Sequence, residues 1–380
     1  MSRPDDLPRW IDIGLLPLLN LGMAFAVSAV VLLAIGQDPM QVLVLLVKGA
    51  FGSRAGLSYT LYYATTFVFT GLAVAVAFHA GLFNIGGEGQ AMMGGLGTGL
   101  VGLALGQHLP AWLLLPPLMV LAAMAFGLLW AAIPGALQAW RGSHIVITTI
   151  MFNFIASALL IYLLVNGLKE PGNMTPESRP FGPAAQLPGV HQSLAALGIE
   201  WPRTPLNLSL LLALAAAAAV YLLLWRSQPG YAIRTVGHAS AAAHYAGIRP
   251  QSQIVGAMAL SGALAGLVGV NEIAGVHNRL MADFVAGAGF AGIAVSLIGR
   301  NHPLGILLAA LLFGALYQGG AELAFEIQGF SRDMVFTLQG LIVLFAGAMG
   351  QVAVPTLTRW HLRFAQRRTP ALAEQGAGRG

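Results

Sequence analysis

The chain has 380 residues, of which 57% are hydrophobic, and its 19 basic and 14 acidic side chains make 9% of it charged. Soluble globular proteins have about 25% charged residues, so this composition excludes a water-soluble protein. The long apolar runs instead predict an all-α, polytopic integral membrane protein. The sequence contains no cysteine, which excludes disulfides, thiolate metal sites and thiol nucleophiles.

Stretches of about 20 apolar residues, the length that crosses a hydrocarbon core of about 30 Å, predict about ten transmembrane helices. They cover residues 11–35, 57–79, 89–106, 111–133, 145–167, 206–225, 254–271, 284–299, 303–325 and 333–354. The third and the eighth are short. The first is too long for a secretory signal and lacks its small-residue stop, so we expect a retained span. Residues 39–51 are apolar but short and contain Lys48, which favours a helix at the interface or outside the membrane.

The arginines orient these spans, because basic residues collect in the cytoplasmic segments of membrane proteins. Ten spans put both termini on one side, and with both termini in the cytoplasm that side holds twelve of the nineteen basic residues. The twelve are Arg3, Arg9, Arg141, Arg226, Arg234, Arg249, Arg300, Arg359, Arg363, Arg367, Arg368 and Arg379. The net charge of +5 is therefore expected to follow the membrane topology, with membrane lipid as the surroundings and no nucleic acid as a partner.

The predicted spans divide the chain into segments of different character. These are an N-terminal span with an external segment (1–56), a first core repeat (57–167), an external loop (168–205), a connecting span (206–225), a cytoplasmic loop (226–253), a second core repeat (254–354) and a basic cytoplasmic tail (355–380). The two short, glycine-broken spans occupy corresponding positions in the two core repeats. This pattern is typical of an inverted repeat whose substrate path runs near the repeat interface.

Two of these segments are long and hydrophilic. The external loop 168–205 is rich in Pro and Gly, so we predict irregular backbone with a short helix near Leu194. The loop is either a connector between two halves of the bundle or a contact for an outside partner. The cytoplasmic loop 226–253 carries three arginines and no acid, and its ASAAAHYAG run consists largely of helix formers. That run predicts a short helix lying along the membrane surface.

Polar side chains at membrane depth are costly and mark candidate functional sites. In the run FHAGLFNIGGEGQAMM, Asn84, Glu88 and Gln90 fall between two apolar stretches, and four glycines interrupt any helix. Irregular backbone at this depth is tolerated where it lines a cavity or is buried in protein, although a tight turn with Glu88 near water fits the same pattern. In a later span, Asn153 shares a helix face with Thr149, one turn before it.

A second polar run follows the seventh predicted span. Its residues are Asn271, Glu272, His277, Asn278, Arg279 and Asp283. This run either borders the substrate path or forms an external loop with solvated charges.

The sequence lacks the motifs of an enzyme. It has no P-loop, because neither Lys48 nor Lys169 has the neighbours of that motif, and its nine histidines show no HExxH or other metal-ligand spacing. We therefore expect no cofactor or metal on this chain, and any ATP must be bound by another subunit. The alternative is an ion-coupled secondary transporter of a small polar solute, for which Glu88 and Glu322 are the intramembrane carboxylates.

Three segments in this order, GLFNIGGEGQAMMGG, VITTIMFNFIA and RTVGHASAAAHYAGI followed by LSGALAGLVG, resemble the permease subunits of bacterial ABC importers for branched-chain amino acids, ribose-like sugars and nucleosides. The GLFNIGGEGQ form is most similar to the nucleoside or simple-sugar branch, and there to the longer of two permeases that pair as a heterodimer. The resemblance covers residues 57–354. It implies a ten-helix permease in the bacterial cytoplasmic (inner) membrane, with an inverted-repeat core and a cytoplasmic coupling helix.

The resemblance also implies partners and residue roles. The partners are a second permease subunit, ABC ATPase subunits that bind ATP and magnesium, and an extracytoplasmic substrate-binding protein. The coupling segment, whose short helix docks on the ATPase, contributes Arg234, Gly237, His238, Ala241, Ala242, Ala246, Gly247 and Ile248. The candidate substrate-path residues are Phe83, Asn84, Glu88, Gln90 and Asn153. Glu88 accepts hydrogen bonds either from the substrate or from backbone amides at the helix break, and His238 stands where many relatives are expected to have asparagine.

Overall fold

The computed structural model describes residues 16–106 and 114–327, together with isolated positions between 334 and 344. Apart from three isolated β-bridges, the regular structure in these residues is helical. The all-α class is therefore confirmed for the described part of the chain. The basic tail and most of the predicted tenth span lie outside it.

Thirteen α-helices follow one another along the described residues. They are α1 (Leu16–Ala34), α2 (Pro39–Phe51), α3 (Arg54–His79), α4 (Gly87–Leu105), α5 (Leu115–Arg141), α6 (Ile145–Leu163), α7 (Val190–Ala195), α8 (Ser209–Arg226), α9 (Gln228–His238), α10 (Ser240–Tyr245), α11 (Pro250–Gly266), α12 (Ala288–Ile298) and α13 (Pro303–Glu326). Wide π-helical turns follow two of them, Leu164–Leu168 after α6 and Val270–His277 after α11.

Six helices of the described part are long and apolar enough to cross a bilayer, and a seventh span results if α1 and α2 count as one broken span. These two helices are bent by 119°, at a break where Gly36 has a φ of +77°. The two glycine-broken spans predicted from the sequence are α4 and α12, and α12 has 11 residues. The helices confirm a multi-pass membrane protein, while the count of ten spans stays a prediction.

One predicted span boundary is wrong in a way that affects the candidate site. The sequence predicts that the seventh span ends at residue 271, whereas the span runs from Pro250 to His277, because π-helical turns carry the helix past Gly266. Glu272 consequently lies inside the span together with Asn271, and both are buried. For these two residues, the interpretation as a solvated external loop is wrong.

The short helices predicted in the two hydrophilic segments are confirmed. α7 includes Leu194, and α10 lies in the ASAAAHYAG run. The sequence does not predict α9, which precedes α10. Ser227 caps its start by accepting a hydrogen bond from the Gly230 amide (3.2 Å), with a proline in the first turn. α5 also runs past its predicted end, to Arg141.

Glycines set the helix packing in the compact unit from residue 46 to residue 319. A Cβ atom added at Gly262 of α11 would collide with the carbonyl oxygen of Gly127 on α5, and the reverse substitution would collide in the same way. One turn further along α11, a Cβ atom added at Gly94 of α4 would collide with the Cα atom of Gly266. Gly262 and Gly266 are four residues apart, the spacing of small residues that lets helices approach closely, and this packing brings α4, α5 and α11 together.

Candidate functional site

The helical path of the chain breaks between α3 and α4. α3 ends at His79, α4 begins at Gly87, and the backbone between them turns at Gly81, whose φ is +74°. Leu82 and Asn84 in this break are buried. The structure confirms the irregular segment predicted here and surrounds much of it with protein, as irregular backbone at membrane depth requires.

The side-chain amides of Asn84, in the break, and Gln90, in the first turn of α4, hydrogen-bond to each other. Asn84 Nδ2 donates to Gln90 Oε1 (3.0 Å) and to Ser261 Oγ on α11 (2.9 Å). Asn84 Oδ1 accepts from the Gly86 amide (2.8 Å) and from Gln90 Nε2 (3.2 Å). The polar atoms of the Asn84 side chain are thus paired within the protein, and both side chains are buried.

Asn153 joins the break to α6. Its Nδ2 donates to the Ile85 carbonyl oxygen (3.0 Å), and its Oδ1 accepts from the Gly89 amide (2.9 Å). Gly89 allows this close approach, since a Cβ atom there would lie 2.9 Å from Asn153 Cα. Thr149, the predicted neighbour on the same face, instead donates to its own helix at the Ile145 carbonyl oxygen (2.8 Å).

Glu88 connects the start of α4 to the start of α12. Its carboxylate accepts hydrogen bonds from the amides of Gly287 (2.9 Å) and Gly289 (2.8 Å) and so caps the N-terminus of α12. A negative charge is favourable there, because the first amides of a helix are unpaired and the helix dipole is positive at this end. Of the two roles considered for Glu88, these contacts are those of an acceptor for backbone amides.

The structure brings four of the five predicted substrate-path residues into one buried cluster, which we call the α4/α12 junction. Its members are Asn84, Glu88, Gln90, Asn153 and residues 287–289. Phe83 lies apart from it, 37% exposed and with its ring centroid 5.3 Å from that of Phe78. Within the described ranges, no three His, Cys, Asp or Glu side chains group closely enough to hold a metal ion. The chemistry of the junction is therefore hydrogen bonding that fixes two helix starts.

The sequence does not predict a second buried polar cluster, between α3 and the π-helical turns after α11. The Glu272 carboxylate accepts hydrogen bonds from the hydroxyls of Tyr62 and Thr66, the second at 2.7 Å. Asn271 Nδ2 donates to Thr66 Oγ1 (2.8 Å), and Asn207, just before α8, donates to Asn271 Oδ1 (3.0 Å). The signal in the sequence is the four-residue spacing of Tyr62 and Thr66, which puts both on one face of α3.

Gly237 brings the 226–253 segment into contact with the break. A Cβ atom at Gly237 would lie 2.8 Å from the Gly81 nitrogen and 2.9 Å from the Ala80 carbonyl carbon, and it would collide with the His79 carbonyl oxygen. A Cβ atom at Gly81 would in turn lie 3.2 Å from the Gly237 oxygen. Two glycines therefore allow α9 to touch the turn that follows α3.

The residues that flank the break are hydrogen-bonded to the two ends of α12. Glu88 caps its start, and His79 Nε2 lies 3.0 Å from the carbonyl oxygen of Asn301, just beyond its end. Asn301 has a φ of +55°, and its side-chain oxygen accepts a hydrogen bond from Ser296 of α12 (2.8 Å). Residues on the two sides of the break thus hold α12 at both of its ends.

The side chains at the α10 end of the predicted coupling segment are mostly exposed at the surface of the chain. Its exposed members are His238, Ala241, Ala242, Ala246 and Gly247. Tyr245 beside them is 93% exposed, whereas Arg234, Gly237 and Ile248 are half-buried. The segment thus has two sides, one of small exposed residues and one on which Gly237 packs against the break.

Asn153→Ala is expected to lower the free energy of unfolding by about 2 kcal/mol, because the buried Gly89 amide and the partly buried Ile85 carbonyl both lose their partner. The midpoint of thermal unfolding of the purified chain in detergent measures the loss. Asn166→Ala is the matched control, since Asn166 is exposed and bonds the Tyr162 carbonyl of its own helix. Equal midpoints for the two variants would contradict the bridging role of Asn153.

The chain matches, over residues 56–347, the sequence profile of the family described as branched-chain amino acid transport system / permease component. It is 36% identical to a glucose ABC transporter permease protein of Haloferax volcanii, over 89% of this chain and 88% of the relative. It is 34% identical to a guanosine ABC transporter permease protein of Bacillus subtilis, over 88% and 93% of the two chains, and 32% identical to a second guanosine ABC transporter permease protein of that organism, over 67% and 78%. The family match spans both the α4/α12 junction and the 226–253 segment, and the chain therefore belongs to the family of branched-chain amino acid transport system permease components.

Proposed function

We propose that this chain is the permease subunit of an ATP-driven ABC importer and forms, with a second permease, the translocation path for a nucleoside or a simple sugar. The observation that carries the proposal is the two-sided segment 226–253. Its exposed small residues suit docking on a partner, and Gly237 joins it to the break before α4. The relatives named for glucose and guanosine support the class of solute.

The proposed architecture has ten spans in two inverted repeats, with both termini in the cytoplasm. The starts of α4 and α12 lie side by side, since a Cβ atom at Gly87 would lie 3.3 Å from the Gly289 oxygen. Two repeats related by an axis in the membrane plane bring equivalent helix starts together in this way. The acid-free, arginine-containing 226–253 segment supports the cytoplasmic side for α9 and α10.

The proposed partners follow from what the chain has and what it lacks. Since the sequence has no P-loop, an ABC ATPase subunit binds ATP and magnesium and docks on α10. An extracytoplasmic substrate-binding protein delivers the solute on the other side. The two different guanosine permease proteins of Bacillus subtilis that resemble this chain support a heterodimer of two permeases.

In this proposal, backbone contacts transmit the movement of the ATPase to the translocation path during alternating access. Closure of the ATPase pair pushes on α10 and α9, and Gly237 passes the displacement to residues 79–81, because no side chain separates the two backbones. Residues 79–88 then move α12 through its bonded ends. The path between the permeases switches from outside-open to inside-open, with the α4/α12 junction and Phe83 beside the solute.

Reconstitution into proteoliposomes tests the proposal. The chain, together with its ATPase and second permease, is expected to take up a nucleoside or sugar when ATP and the binding protein are supplied, and to stop when ATP is withheld. Uptake by the chain alone, driven by a sodium or proton gradient, would instead show that the chain is an ion-coupled transporter and would contradict the proposal.

Ala242→Trp and Arg234→Glu are expected to abolish uptake while the permease stays folded. The first puts a large ring on the docking surface, and the second reverses a charge in the acid-free segment. Ala195→Trp, an equally exposed alanine in the external loop, is the control for bulk. Co-purification of the ATPase with each variant is the measurement, and full retention of the ATPase by Ala242→Trp would refute the docking assignment.

A further inference from the structure

The predicted external loop 168–205 is hydrogen-bonded to the ends of three spans. Trp201 Nε1 donates to Ser58 Oγ in the second turn of α3 (2.7 Å). The Arg179 guanidinium donates to a carbonyl oxygen near the end of α4 (3.2 Å), and the Leu187 amide donates to the Ala274 carbonyl of the α11 span (2.8 Å). The loop therefore joins the ends of α3, α4 and the α11 span.

Residues 278–281, which follow the α11 span, are paired with the same loop. The Ser178 amide donates to the Leu280 carbonyl (2.8 Å), and Ser178 Oγ accepts a hydrogen bond from the Leu280 amide (2.9 Å). Glu177 and Met281 lie opposite each other in an antiparallel β-bridge. We call the external loop together with residues 278–281 the outer frame.

Buried hydrogen bonds anchor the outer frame in the helix bundle. Thr66 of α3 accepts a hydrogen bond from Asn271 (2.8 Å) and donates one to Glu272 (2.7 Å). Ser209, the first residue of α8, also donates to Asn271, and all four side chains are buried. Because buried polar groups that lose their partners are costly, we expect the end of the α11 span to stay joined to α3 and α8.

The backbone changes character directly after Met281. Within the described ranges, the amides of residues 282–286 donate no hydrogen bond. Asp283 and Ala286 have φ values of +57° and +47°, and Gly287 has a φ of +81°. Left-handed backbone is unfavourable for residues other than glycine, and hinges consist of a few residues at the end of an element that absorb large backbone changes. This segment is therefore both strained and weakly bonded, as a hinge is.

Apolar packing holds the same segment against α4. Phe284 and Val285 are buried, and a Cβ atom at Gly95 of α4 would collide with the ring of Phe284. Apolar contacts are not directional. They consequently keep the segment in place while permitting a change of angle that hydrogen bonds would resist.

α12 connects this segment to the place where the coupling contact acts. The helix has 11 residues, which makes it about 16 Å long. Its start is capped by Glu88, and the Asn301 carbonyl just beyond its far end lies 3.0 Å from His79 Nε2. A displacement at the far end therefore acts on α12 at a distance from its capped start.

We propose that α12 pivots on residues 282–287 during import, while the outer frame stays closed. The start of α12 turns in place on Glu88, and its far end moves with residues 79–81. A tilt of about 10° moves the far end of a helix of this length by about 3 Å. This inference rests on the proposed function, in which closure of the ATPase pair displaces residues 79–81, and it adds the place where the chain bends.

Two cysteine pairs test the proposal, because the sequence has no cysteine of its own. Glu177→Cys with Met281→Cys locks the outer frame, since opposed residues of an antiparallel bridge have Cα atoms about 4.5–5.5 Å apart, within the range of disulfides. Gly71→Cys with Val295→Cys ties α12 to α3, which is bonded to the frame. A Cβ atom at Gly71 would lie 3.6 Å from Val295 Cβ, which also suits a disulfide.

Uptake is measured in proteoliposomes that contain the chain with its ATPase and second permease. Each pair is assayed reduced, after oxidation with copper phenanthroline, and again after dithiothreitol. We expect the oxidised frame pair to keep normal uptake, and the oxidised α12 pair to lose uptake by about tenfold or more and to recover on reduction. Loss of uptake in the oxidised frame pair, or normal uptake in the oxidised α12 pair, would overturn the hinge. A wild-type complex without ATP-driven uptake would instead contradict the proposed function.

The rate of disulfide formation gives a second readout that does not depend on uptake. It is measured by maleimide labelling of the remaining thiols, without nucleotide and with ATP and orthovanadate, which holds the ATPase pair closed. The frame pair is expected to react at the same rate in both conditions, and the α12 pair at rates that differ by about tenfold or more. Absence of either disulfide in both conditions, or an equal rate of the α12 pair in the two, would overturn the proposal.

Discussion

Gly237→Ala is expected to abolish ATP-driven uptake while the chain still folds and still binds its ATPase. Alanine in a helix is normally favourable by about 0.5–1 kcal/mol relative to glycine. Here, however, the added Cβ would collide with the His79 carbonyl oxygen and would lie 2.8 Å from the Gly81 nitrogen. These are backbone atoms, which cannot rotate away, so α9 must separate from the break. The coupling contact is then lost although the exposed face of α10 is untouched.

Gly256→Ala is the matched control for this prediction. Gly256 lies in α11, and a Cβ atom there meets no atom within 4 Å. The measurement is the ratio of solute taken up to ATP hydrolysed in proteoliposomes. We expect continued ATP hydrolysis with a solute-to-ATP ratio at least tenfold lower for Gly237→Ala, and a normal ratio for Gly256→Ala. A normal ratio in Gly237→Ala would show that force reaches the path by another route.

Local patterns were enough to predict the elements that depend on local interactions. The apolar runs predict most of the described spans, and the helix formers around Ala242 predict α10, because these features depend on a few consecutive residues. The glycines between His79 and Gln90 predict the break before α4 for the same reason. The end of the α11 span is not predictable in this way, since its π-helical turns bury Glu272 against Tyr62, which is 210 residues away in the sequence.

The chemistry of the candidate site was only partly predictable. Polarity inside apolar stretches singles out Asn84, Glu88 and Asn153, and the structure shows that all three make buried hydrogen bonds. The partners of Glu88 and Asn153 are backbone groups of distant segments, such as the Gly287 amide bonded by Glu88. Every residue except proline has a backbone N–H, so no residue type in the sequence identifies this partner. The contact between the start of α4 and the start of α12 is therefore seen only in the three-dimensional structure.

Glu88→Gln is expected to lower uptake at least tenfold while the ATPase stays attached. The carboxylate presents one oxygen to the Gly287 amide and the other to the Gly289 amide, whereas glutamine has a single acceptor and turns an NH₂ group toward the second amide. An unpaired buried amide costs about 1–3 kcal/mol, and the loss of the negative charge at the start of α12 adds about 0.3–1 kcal/mol. The start of α12 therefore separates more easily from the start of α4. The α4/α12 junction then no longer has a single fixed geometry in the outside-open state or in the inside-open state.

Two further variants separate this positioning role from a direct contact with the solute. Glu88→Asp keeps the charge and both oxygens, so we expect partial recovery of uptake at an unchanged apparent Kd for the solute. Glu200→Gln, which changes an exposed carboxylate in the external loop, is the control for the loss of charge and should transport normally. Because a capping carboxylate acts on helix geometry, Glu88→Gln should also lower the thermal midpoint of the chain without solute. If Glu88→Gln instead kept its thermal midpoint and lost affinity for one solute more than for another, Glu88 would be a solute ligand, and the cap on α12 would not be its function.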